Sequence, residues 1–100
     1  GKTPKFTIRW NIATAHEHQG TYKDALHELF LIVKNCLVKE DENKANTYFF
    51  IAKISKKMKN KSLALRNLQF AYDTCLKVLG KDHPKTRHCH TALFREHLNS

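Results

Sequence analysis

One hundred residues with 41% apolar content provide for one domain around one core. The 3 glycines and 2 prolines stand singly and no low-complexity tract is present, which excludes a disordered arm. Net charge is +9 and uneven: residues 1–50 carry 7 Lys and Arg against 6 acids, residues 51–100 carry 11 against 3. An excess of that kind favours an anionic partner and is silent about fold.

No run of about 18 apolar residues and no leader of charged, apolar and small residues is found, so the expectation is a protein without a membrane span, in the cytoplasm or nucleus. Beginning at Gly1 rather than Met, the sequence reads as a segment of a longer protein. Cysteines at 36, 75 and 89 are odd in number and lack CxxC spacing, which argues against a disulfide framework.

In chain order, Thr3-Pro4 reads as a cap with proline in the first turn of a helix over 4–19, ended by Gly20. Tyr22, Ala25, Leu26, Leu29, Ile32, Val33, Cys36 and Leu37 fall on one stripe of a second helix, 21–39. The short charged stretch Lys39 to Asn43 reads as a loop into a third helix over 43–58. Asn60 is the expected left-handed turn residue before a fourth helix, 61–79, striped by Ala64, Leu65, Leu68, Ala71, Tyr72, Cys75, Leu76 and Leu79. Gly80 ends it, and Asp82-His83-Pro84 starts a fifth helix, 84–98.

The chain is similar to itself at a shift of 39 residues. Ile12 meets Ile51, Ala13 meets Ala52, Ala25 meets Ala64, Leu26 meets Leu65, Leu29 meets Leu68, Cys36 meets Cys75 and Leu37 meets Leu76. Trp10 falls on Phe49. All these residues are apolar or small, the types that occupy packing faces, so each unit is a helix hairpin.

In that register Ala13, Gly20, Tyr22 and Ala25 form the pattern Ala-x6-Gly-x-Tyr-x2-Ala, which resembles the tetratricopeptide (TPR) repeat. Small residues let antiparallel helices approach, and glycine takes the left-handed conformation that closes the turn. The second unit keeps Ala52 and Ala64 but has Lys59 and Lys61 in place of Gly and Tyr. Its longer period and the loop Leu79 to Thr86 are similar to the kinesin-light-chain type of TPR. The resemblance implies an all-α, right-handed stack of antiparallel hairpins: repeat one over 6–39, repeat two over 45–79, and a helix over 84–98 that is either a cap or half of a third repeat. Phe94 then stands where Ala13 and Ala52 do, which favours the cap.

Chemistry finds little support. His88-Cys89-His90, with His83 and His97 nearby, lacks ligand spacing on a helix, because adjacent residues point about 100° apart. Cys36 and Cys75 read as small core residues one repeat apart, and Cys89 has no orienting carboxylate or oxyanion donor. With no phosphate loop, paired carboxylates or zinc signature, neither enzyme, metal nor cofactor is expected.

The resemblance places a partner-binding groove on the first helix of each hairpin, at Thr7, Trp10, Thr14, Glu17, His18, Asn46, Phe49, Lys53, Lys56, Lys57, His88, Thr91 and Arg95. Aromatic at one end and basic at the other, it suits a protein or peptide with acidic residues and one apolar anchor. Read without the resemblance, Trp10 and Phe49 serve equally as hairpin core and the lysines as a solvated face. Thr14 and Trp10 stand where a carboxylate clamp needs Asn and Lys, so a chaperone-tail clamp is not expected. Two alternatives remain open: the basic run Lys53, Lys56, Lys57, Lys59, Lys61 and Arg66 contacting RNA, DNA or another polyanion, and self-association through the open end of the stack.

Overall fold

The computed structural model describes residues 5–34 and 41–98. They form five α-helices: α1 Lys5–Gln19, α2 Tyr22–Lys34, α3 Glu42–Lys57, α4 Lys61–Leu79 and α5 Pro84–Leu98. There is no strand among the described residues, and the helices fill 39 × 29 × 19 Å. Thr3-Pro4, Cys36, Leu37 and, of the expected loop after α2, Lys39 and Glu40 lie outside the described residues. Consecutive helices make the main packing contacts, α3 against α4 most extensively.

The 39-residue shift is written into the backbone of both hairpin turns. Gly20 N–H donates to Glu17 O at 3.0 Å, Thr21 N–H to His16 O at 2.9 Å, and Ala25 N–H to Thr21 O at 3.1 Å. Thirty-nine residues later Lys59 N–H donates to Lys56 O at 3.0 Å, Asn60 N–H to Ser55 O at 2.9 Å, and Ala64 N–H to Asn60 O at 3.1 Å. The left-handed residue of the second turn is Lys59, φ 62°, at the position of Gly20, φ 80°. Asn60, expected in that role, has φ −95° and instead caps α4, its side-chain oxygen accepting from Leu63 N–H at 3.2 Å. The physical reason is a division of labour: a helix start has unpaired N–H groups, and an Asn side chain serves one of them better than it serves a bend.

Small residues hold the crossings as the pattern requires. Ala13 and Ala25 are fully buried where α1 meets α2, and Ala52 and Ala64 nearly so in the second hairpin. Leu26, Leu29, Ile32, Phe50, Ile51 and Ile54 complete the larger core cluster with Ala13 and Ala25; Ala45, Ala71, Cys75 and Cys89 form another, and Ala52 packs with Leu68 and Leu93 in a third. Four buried hydroxyls and amides on α3 and α4 are satisfied locally: Thr47 donates to Asn43 O, Ser55 to Ile51 O, Asn67 to Leu63 O and Thr74 to Phe70 O, all at 2.7–2.9 Å. At the far end, Phe94 and Leu98 on α5 are 58% and 69% exposed.

Candidate functional site

The first helix of each hairpin and α5 lie side by side across one face, and side chains bridge them. Between α1 and α3, the Trp10 and Phe50 rings meet edge-on at 4.9 Å, and Lys57 pairs with Glu17 at 3.1 Å. Between α3 and α5, Phe49 lies 5.3 Å from the His88 ring, Lys56 pairs with the buried Glu96 at 2.6 Å, and Lys85 reaches Glu42 at 2.8 Å and the Asn46 side-chain oxygen at 2.7 Å.

Three cavities open on this face, and Phe49 lines all of them. One of about 270 Å³ lies between α1 and α3, with Trp10, Glu17, Asn46, Phe50 and Lys53. A second of about 120 Å³, between α3 and α5 over an α4 floor, is walled by Ala52, Ala64, Leu68 and Ala92 with Lys53, Lys56 and Glu96 at its polar side. A third of about 230 Å³ is bounded by Ala45, Asn46, Lys85 and His88 and reaches Cys75 and Cys89. Phe49 is therefore a ridge between pockets, and Lys53 borders two of the three.

The residues singled out from sequence separate into two groups here. Trp10, Glu17, Phe49, Lys53 and Lys56 share the cavities of this face. Trp10 also stacks against Phe6 at 5.6 Å beside the main core, so groove wall and hairpin core are one role for it. Thr14 spends its hydroxyl on Trp10 O at 2.9 Å. Thr91 turns to the opposite side of α5, lining a cavity with Tyr72 and Lys81, and Arg95 is exposed and borders none of these cavities.

The basic character of α3 is partly spent inside the molecule. Lys56 and Lys57 are each committed to a carboxylate, whereas Lys53, among the described residues, has the Phe50 ring 5.9 Å from its ammonium and no carboxylate. Pairing a buried carboxylate removes a penalty of several kcal/mol, roughly, that an unpartnered Glu96 would carry. Sequence reading misses this because Glu17 and Glu96 lie about 40 residues from their lysines, with no local signal joining them.

Cys75 on α4 and Cys89 on α5 are buried with sulfurs 3.8 Å apart as free thiols. Burial, then the neighbouring sulfur, pushes the Cys89 thiol up to about 12, and burial raises Cys75. Thiols held neutral in this way are poor nucleophiles. Among the described residues no group of three or more His, Cys, Asp or Glu is placed to hold a metal, and no helix is long and apolar enough to cross a membrane.

Comparison of the chain with protein-family models, curated proteins and solved structures returns no match.

Proposed function

We propose that this chain is a non-catalytic, intracellular interaction module of TPR type that holds an acidic segment of a partner protein across the α1–α3–α5 face. The observation that carries this reading is the meeting of two cavities at Phe49 and Lys53, an aromatic ridge beside a lysine that has no carboxylate partner among the described residues. The repeated hydrogen bonds of the two turns support the hairpin-repeat architecture on which it rests.

The cavities define the chemistry of a ligand. Ala52, Ala64, Leu68 and Ala92 make the smaller one apolar, and about 120 Å³ falls short of the ~150 Å³ site that accepts benzene. An aliphatic anchor fits there, with an adjacent carboxylate reaching Lys53. The wider cavity beside Trp10 takes a larger or more polar neighbour. Commitment of Lys56 and Lys57 to Glu96 and Glu17 favours a ligand with few, placed charges over a polyanion.

The test is selection of random peptides displayed on phage, followed by affinity measurements on synthetic copies. Enrichment of an aliphatic residue next to Asp or Glu, with affinity reduced at least tenfold by Lys53→Glu or Trp10→Ala in folded variants, is expected. A thymidine oligonucleotide serves as the competing probe: binding with a steep salt slope that ignores Trp10→Ala, together with no enriched peptide, replaces this reading by the polyanion one.

A further inference from the structure

A cavity larger than any of the three on the groove face lies away from it and shares no lining residue with them. About 340 Å³ in volume, it is bounded by Tyr72 from α4, Lys81 from the α4–α5 connection, and Thr86, Arg87, His90 and Thr91 from α5. Four elementary facts bear on what it holds. Every one of these side chains can donate a hydrogen bond, through hydroxyl, ammonium, guanidinium or imidazole. None is a carboxylate, although the chain has 9 acids. Two of the six are permanent cations.

The fourth fact concerns Thr86. It is 1% exposed, and its Oγ1 is the one buried side-chain oxygen or nitrogen among the described residues without a hydrogen-bond partner. Buried threonines elsewhere in this chain spend the hydroxyl on the carbonyl four residues back, as Thr47 and Thr74 do. On α5 that carbonyl would belong to Asp82, before the helix begins at Pro84, so the helix gives Thr86 no equivalent acceptor. A buried donor left unmatched is costly, and the residue that carries it is one of the six that line this cavity.

We propose that this cavity binds a dianionic phosphate group, free or as a monoester. A tetrahedral dianion supplies several acceptor oxygens to converging donors: Arg87 and Lys81 provide the charge, Thr86 the buried hydroxyl, and Tyr72, His90 and Thr91 the remaining polar wall. A phosphodiester carries less charge per group, so the two cations Arg87 and Lys81 favour the dianion. The source of the dianion is free phosphate or the terminal phosphate monoester of a small metabolite, and the probes below separate them.

Titrations of the full chain followed by ¹H–¹⁵N NMR use inorganic phosphate, O-phosphoserine and adenosine monophosphate, with sodium chloride at matched ionic strength as control. Saturable shifts at Thr86, Arg87 and Lys81 with phosphate but not chloride are expected, and the tightest probe identifies the source. Arg87→Gln weakens binding at least tenfold. Thr86→Val, of nearly the same shape, raises the melting temperature without phosphate because it removes the unmatched hydroxyl, and it loses the phosphate-dependent increase that the unaltered chain shows. Shifts that follow ionic strength alone, undiminished binding by Arg87→Gln, or a lowered melting temperature of Thr86→Val without phosphate overturn the proposal. None of these results depends on the peptide groove.

Discussion

The two hairpins share a turn and a register, yet they differ in how much they bury. α1 contributes a single fully buried side chain, Ala13, whereas α3 buries Ala45, Thr47, Phe50, Ile51, Ala52, Ile54 and Ser55. Ile12 and Ile51 occupy equivalent positions and are 39% and 0% exposed. A repeat thus fixes which residues face inward within a hairpin, while position in the row of helices decides whether the outer face meets a neighbour. α3 has neighbours on both sides; α1 has none before it among the described residues.

The sharpest way to break that comparison is to shorten the paired isoleucines. Ile51→Ala removes a fully buried side chain and is expected to cost about 3 kcal/mol in urea unfolding, whereas Ile12→Ala costs about 1 kcal/mol or less. Equal losses would mean that the two hairpins are packed alike. The turns come next. Lys59 holds a left-handed conformation that costs a non-glycine residue roughly 1 kcal/mol, so Lys59→Gly stabilises by about 0.5–1 kcal/mol and Gly20→Ala destabilises by about 1 kcal/mol. Opposite signs in thermal or urea unfolding sharpen the equivalence of the two turns. Asn60→Ala, which deletes the α4 cap, is expected to cost about 1 kcal/mol by the same measurement.

Smaller effects concern the second hairpin and α5. Cys89 titrates near 12 in the folded chain against 9.0 ordinarily, because burial disfavours its thiolate. A raised folded value means that this contribution is intact below pH 9 and is lost as pH climbs towards 12. Unfolding followed across that window therefore shows an alkaline loss that Cys89→Ala reduces. The smallest effect is at Glu42, whose carboxyl is held below its ordinary value first by the hydrogen bond from Lys85 and then by the charge of that ammonium. Its contribution is present above the ordinary carboxylate range and fades as pH falls through the depressed value. Lys85→Met moves the Glu42 titration upward, which carboxyl-carbon NMR reads directly.

All five helices are legible in the sequence because periodicity and punctuation agree: Gly20 and Gly80 end helices, Pro84 begins one, and the stripes of α2 and α4 repeat at helical spacing. Ala13, Ala25, Ala52 and Ala64 are equally legible as close crossings, since small residues at matched positions have one packing use. The site is legible only in outline. Trp10, Phe49 and Lys53 emerge from the repeat register, but the pairing of Lys56 with Glu96 and of Lys57 with Glu17 depends on how helices far apart in the chain lie against one another. The same holds for the Cys75 and Cys89 sulfurs and for the donors around Thr86, gathered from α4, the connection after it and α5. Charge counted along a chain overstates the charge available to a partner.

Packing between consecutive helices has a consequence for the time course of folding. When each helix rests chiefly on the next in sequence, only short stretches of chain must be closed before contacts form, and such chains fold in microseconds to milliseconds, roughly. Opening then proceeds from the ends inward. Amide exchange is expected to run fastest in α1 and the last turns of α5 and slowest in α3, the helix flanked on both sides, so that the central wall of the groove is still formed when its outer walls have begun to open.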